Sequence, residues 1–354
     1  MFLILLVETI GLAIVLGVSL LTVRRGRWGM GWLARRAKRL ARHRRLAVVA
    51  AGLIGLGAAI LLSLPGLPVP RIHDEFGYLL AGDTFARGRL TNPTHPMWEH
   101  FESLHIIHQP TYASKFPPAQ GIVLAFGTVL AGHPMVGVWL STALAAAAVC
   151  WMLRGWVPAR WALLGGVLVA LHFGMQRFWG QSYWGGNVAL IGGALLFGAL
   201  PRILRKAQVG DALLMALGLV LLANTRPFEG LVASVAVALV LLAWVFGKKR
   251  PPLAVVAARV VLPIGIVLSV AAAAMCHYNA RVTGDPWKLP YQVHEETYGA
   301  TPLFLWQSPG PAPTYRHPVI RDFHLRWVLP QFLVQKNLAG LWRARSNALV
   351  NSWY

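Results

Sequence analysis

Two adjacent carboxylates, Asp74 and Glu75, lie in Arg71-Ile-His-Asp-Glu-Phe-Gly-Tyr, where Phe76, Leu79 and Leu80 share one helical face and Gly88 supplies a stop. That spacing predicts a helix with the pair in its first turn. The helix dipole favours carboxylates there and keeps them ionised, the state a general base needs before it accepts a proton. A capping pair on a surface helix would look the same. Lys115, in Tyr112-Ala-Ser-Lys-Phe-Pro-Pro, could set a point charge against a lipid-linked phosphate at headgroup depth or simply snorkel along an interface. Arg226 and Glu229, in Asn224-Thr-Arg-Pro-Phe-Glu-Gly, either pair with each other or face a substrate at the membrane edge. Tyr183 and Trp184, in Gln181-Ser-Tyr-Trp-Gly-Gly-Asn, read as belt aromatics or as a sugar-stacking surface. His73, Tyr78 and Tyr112 complete the candidate substrate contacts. His95, His100, His105 and His108 hold ligand-type side chains, but no HExxH or cysteine pair accompanies them. No metal ligand is assigned from sequence, and a divalent metal stays open as a cofactor. Walker, GxGxxG and GxSxG elements do not occur in contexts that support nucleotide or serine-hydrolase chemistry.

The elements that must position these residues are set by a chain of 354 residues, 56% hydrophobic and only 13% charged. Several largely apolar runs of about 18 residues or more can each cross a hydrocarbon core as a helix. The expected fold is an all-α polytopic membrane protein of about eight spans, near 2–22, 46–64, 134–153, 161–178, 186–203, 211–225, 229–247 and 254–277. Residues 119–131 are apolar but short, as a re-entrant or interfacial segment would be. A net charge of +21 would suggest nucleic acid for a soluble chain. Here the basic residues sort by side of the membrane, and no nucleic-acid partner is expected. The cluster from Arg24 to Arg45 fixes the inner side, and alternation places Arg154/Arg160, Arg202/Arg205/Lys206 and Lys248/Lys249/Arg250 there too. Of twelve acidic residues all but Asp211 then fall at or near the outer face, with most of the histidines. Cys150 and Cys276 come near opposite faces, so no disulfide is expected. Three regions follow: a first helix with its basic loop (1–45), a membrane core (46–278) holding a large outer loop (65–133), and an outer tail (279–354) that ends without polar punctuation, as a fragment would.

Taken together, Asp74-Glu75 after an early span, Lys115-Phe-Pro-Pro closing the first large outer loop, and Tyr278-Asn-Ala-Arg-Val-Thr-Gly-Asp-Pro leading to Leu289-Pro-Tyr resemble the C-type glycosyltransferases. These polytopic enzymes include protein O-mannosyltransferases and the aminoarabinose transferases of lipid A. The resemblance covers roughly residues 46–300; the basic lead-in is an added element, and the chain stops before helices that many relatives carry. It implies sugar transfer from a polyprenyl-phosphate donor to a glycan, lipid or protein acceptor on the outer face of the cytoplasmic (inner) membrane. Asp74 would be the general base, Glu75 would orient the acceptor or contact the sugar, and Lys115 with Arg226 would stabilise the leaving phosphate. The competing expectation is a non-catalytic transporter or lipid-binding scaffold. A second enzymatic alternative, metal-dependent transfer, needs Asp83, Glu99, Glu102 and Asp285 to converge.

Overall fold

A computed structural model describes residues 30–247 and 250–353; the expected span 2–22, Arg24, Arg25, Arg27, Lys248 and Lys249 lie outside the described residues. The described chain is helical apart from one small hairpin. An amphipathic α1 (Met30–Arg42) leads into α2 (Arg44–Ser63), and α3 (His73–Ala86) follows. An irregular loop then carries β1 (Ile106–Ile107) and β2 (Ala113–Ser114), paired antiparallel with Ile106 opposite Ser114. Next come α4 (Pro118–Ala131), α5 (Pro134–Leu153), α6 (Ala159–Leu171), α7 (Phe173–Phe178), α8 (Gly186–Arg205), α9 (Val209–Ala223), α10 (Pro227–Phe246) and α11 (Leu253–Thr283). The tail folds into α12 (Pro290–Tyr298), α13 (Pro318–Asp322), a π-turn (Phe323–Val328), α14 (Leu329–Gln335) and α15 (Leu338–Trp353).

Five helices, α2, α5, α8, α10 and α11, are long and apolar enough to cross a membrane, which gives an all-α, multi-pass membrane protein by length and composition. The other spans expected within the described residues are shorter. The run 161–178 is broken at His172, whose extended backbone ends α6 and whose ring accepts a hydrogen bond from the Met175 amide to start α7. The run 211–225 forms a helix of 15 residues. Residues 119–131 are a helix packed on α3 and α5. The tail begins later than residue 279 because α11 continues to Thr283 and ends only where Gly284 turns left-handed at φ 83°.

Packing follows residue size. In α10 only 11% of the apolar window is buried, so leucines and valines such as Leu231, Val232 and Leu239 face outward, as a lipid solvent permits. The main core lies between α8 and α9, where Leu196, Ile203, Met215 and Leu222 interlock. Small residues let backbones meet elsewhere: a Cβ on Gly137 of α5 would collide with the Val123 carbonyl of α4, and one on Gly127 with the Gly137 amide. That crossing holds α4, and through it α3, against the long helices.

Gly137→Ala is therefore expected to destabilise the protein by about 1–3 kcal/mol. Gly57→Ala, whose added methyl meets nothing within 4 Å, should change stability little. Thermal unfolding of the two purified variants in one detergent checks this; equal midpoints would show that the α4–α5 crossing is not tight.

Candidate functional site

As the sequence predicts, α3 opens with Asp74 and Glu75 in its first turn and stops before Gly88, at φ 70°. The two carboxylates then do different things. Glu75 is 3% exposed, and its Oε1 accepts the amides of Arg71 (3.0 Å) and Ile72 (3.2 Å) while Oε2 accepts the amide of Tyr183 (2.9 Å). It caps its own helix and ties the 181–185 loop to it. Both oxygens of Glu75, expected to face a substrate, are engaged by backbone amides.

Asp74 points away from those amides. Its Oδ1 lies 2.8 Å from His105 Nε2 and 3.2 Å from His73 Nδ1, and its Oδ2 accepts the indole N–H of Trp184 at 3.1 Å. The Glu75 contact to Tyr183 is what sets Trp184 in place. Burial raises the Asp74 pKa, but the hydrogen bond and charge of His105, followed by those of His73, hold the carboxyl below its ordinary value. Burial pushes the His105 imidazole down, against the pull of Asp74. The other ring nitrogen, Nδ1, is buried and meets no partner among the described residues. His105 also stands at φ 64°, a left-handed conformation costing about 1 kcal/mol or more for a residue with a side chain. Its carbonyl accepts the Lys115 amide at 3.1 Å, which pins the strained turn to the hairpin.

Lys115 is buried, and its Nζ lies 3.1 Å from Glu295 Oε1 and 4.9 Å from the Tyr291 ring centroid. His294 Nδ1 is 3.2 Å from the same carboxylate oxygen. Burial alone would raise Glu295; the His294 hydrogen bond and the Lys115 ammonium instead hold it down to about 2. Burial pushes His294 down to about 4 and lowers Lys115 as well. The Lys115 ammonium thus has a carboxylate partner, and the pair fastens α12 to the loop before α4.

The remaining candidates separate. Tyr78 stacks on Phe116 at 4.4 Å, and burial pushes its hydroxyl up to about 12, with Arg226 opposing and Asp74 and Glu229 adding to the rise. Tyr183 is buried and donates its hydroxyl to the Pro68 carbonyl at 2.8 Å. Tyr112 pairs with Asn92 in a bridge and lies against His108, apart from the Asp74 contacts. Arg226 stands at the start of α10, half-exposed, 3.9 Å from Glu229. Sequence reading missed the partners of Asp74 and Lys115 because they lie far along the chain: Glu295 is 180 residues from Lys115, and Phe323 of the tail packs edge-on to both His73 (5.0 Å) and His105 (5.5 Å). No local spacing encodes such pairs.

Asp74, His73 and His105 each offer one ligand atom, all within 4.8 Å of one another, a donor set suited to a divalent ion. The carboxylates expected to gather for metal chemistry do not join them. Asp83 pairs with Arg87, Glu99 and Glu102 meet Arg316, and Asp285 caps the Trp287 amide.

The division of labour between the carboxylates is testable by stability. Glu75→Gln should lower stability by about 2 kcal/mol, because an amide NH2 then faces backbone N–H donors. Asp74→Asn should cost less than half as much. Thermal unfolding of both variants measures the difference; equal losses would contradict it.

No protein-family model, curated protein or solved structure matches this chain.

Proposed function

We propose that the protein is a membrane glycosyltransferase that moves a sugar from a polyprenyl-phosphate donor to an acceptor hydroxyl, with Asp74 as general base. The observation that carries this reading is Asp74 itself, partly open to solvent and held by His105 and Trp184 next to His73, which lines a cavity. The Asp74 side chain is 21% exposed, whereas the neighbouring Glu75 is closed off.

One cavity, of about 500 Å³, opens beside His73 and is walled mainly by Phe76, Leu104, Ile106, Val319 and Ile320, with Glu102, Ser103 and His317 as the polar groups that an acceptor hydroxyl could meet. The other, of about 540 Å³, is largely apolar, walled by Phe85, Ala119, Ile122, Leu221 and Met275, with Arg89 at its polar end. It shares Ile122 and Leu221 with an apolar cavity of about 1010 Å³ between the long helices. Adjoining apolar hollows of this kind suit a prenyl chain, the smaller one lined by Phe85 at the end of α3 whose first turn holds Asp74. Asn224 lies on the wall of the smaller hollow, and Arg226, two residues on, acts on Tyr78 from the side opposed to Asp74 in sign.

In the reaction, the acceptor oxygen attacks the anomeric carbon while Asp74 takes the hydroxyl proton. The bond from that carbon to the phosphate oxygen breaks, and its electron pair leaves on the phosphate. Arg226 offsets the charge that grows there. His105 and Trp184 hold the carboxylate in position. The basic loops at the opposite helix ends support placing this site on the outer face of the cytoplasmic membrane.

A second reading is favoured by the His73–Asp74–His105 donor set: the same transfer with a divalent ion on these three groups. The ion would neutralise charge on the departing phosphate.

Both readings meet in one assay. Transfer from a mixture of radiolabelled polyprenyl-phosphate sugars, in membranes carrying equal amounts of each protein, should fall about 10²–10⁴-fold for Asp74→Asn, the effect of losing a general base. Full activity in that variant would remove the mechanism, and loss with a chelator followed by rescue with a divalent ion would select the second reading.

A further inference from the structure

At the helix ends opposite Asp74, Arg44, Arg154, Arg202, Arg205 and Lys206 line one cavity of about 570 Å³ with a single carboxylate, Asp211. They come from the start of α2, the end of α5 and the end of α8. The tendency of basic residues to collect on one side of a membrane concerns the number of charges per loop. It does not require charges from three separate places to converge on one hollow, where they repel each other.

Three of the four arginines are also held in place. Arg202 is buried, donates to the carbonyls of Gly198 and Trp151 (2.7 Å to the latter), and stacks on the Trp151 ring at 4.0 Å. Arg154 donates to the Ala41 carbonyl at 2.7 Å, and Arg205 to those of Pro201 (2.8 Å) and Gly155 (3.0 Å). Carbonyl oxygens orient a guanidinium without neutralising it. Among the described residues none of the five cations has a carboxylate within ion-pair distance. Five cations around a cavity, three of them oriented by carbonyls and none in a close ion pair, outnumber the one carboxylate and make a site for an anion with several acceptor oxygens.

A second cavity of about 500 Å³ shares Arg205, Lys206 and Gln208 with the first and adds Arg250 and Arg259. Its wall turns apolar at Leu204, Trp244 and Val255. Cations at one end and apolar side chains at the other match a phosphate that carries a lipid tail.

We propose that this paired cavity binds a phosphate group, presented by the headgroup of an anionic phospholipid. The site is independent of the sugar-transfer reading, since it lies at the other end of the helices and shares no residue with it.

The test uses the full chain in nanodiscs of phosphatidylcholine with or without 30 mol% phosphatidylglycerol, and reads retained anionic lipid by native mass spectrometry. Arg44→Gln/Lys206→Gln removes two exposed cations that make no side-chain hydrogen bond among those described. Arg35→Gln/Arg39→Gln removes the same charge from the exposed face of α1, outside the cavity. The cavity variant should lose about 30-fold in apparent affinity for the lipid, and the α1 variant less than 3-fold. Lys206→Gln alone serves if the double variant does not fold, with a loss of about 5-fold. In phosphatidylcholine-only discs, 10 mM inorganic phosphate that raises the unfolding temperature of wild type but not of the cavity variant supports the same site with free phosphate as its source. Equal losses in cavity and α1 variants, or neither lipid retention nor phosphate protection in wild type, would overturn the proposal.

Discussion

A carboxylate removed from water must have its hydrogen bonds replaced, and how Glu75 meets that need determines most of what surrounds it. Three backbone amides, two from the residues that lead into α3 and one from Tyr183, close around its oxygens. That one side chain starts the helix, fixes the loop between α7 and α8, and thereby aims the Trp184 indole at Asp74. The neighbouring carboxylate is left with side chains instead of amides, and hence with solvent access and a role that backbone capping would not allow.

The same economy appears around Lys115. A buried ammonium needs a counter-charge, and the pairing with Glu295 draws α12 onto the loop that ends at α4. The tail then lies over the site, with Glu102 receiving the Tyr298 hydroxyl at 2.8 Å and Arg316 at 3.3 Å. Two ion-paired contacts between segments far apart in sequence thus bring Phe323 over the His73 and His105 rings. The strain held in His105, a left-handed residue in the wall of the site, is maintained by this enclosure and by the hairpin hydrogen bond to Lys115.

Much of the architecture was legible in the sequence because the lipid imposes it. Apolar runs gave the long helices, the first-turn acidic pair and Gly88 gave the bounds of α3, and the distribution of arginines gave two chemically different ends. The break at His172 was not legible, since a histidine capping a six-residue helix leaves no trace in hydropathy. Of the site, Asp74 and Trp184 could be named from local pattern. The distinct fates of Asp74 and Glu75 could not, because the choice depends on an amide more than a hundred residues away. Nor could spacing show that Lys115 is already neutralised.

In the proposed transfer reaction, Asp74 acts as a base whose ionisation His105 supports. The direct measurement is the pH dependence of sugar transfer by wild type and by His105→Asn, a residue that tolerates the left-handed backbone. Because His105 lowers the Asp74 pKa, transfer should persist to low pH in wild type and fall only as pH drops through that lowered value. In the variant, burial that had been offset raises the pKa, and the acid limb should move to higher pH. An acid limb at the same pH in both proteins would contradict the account.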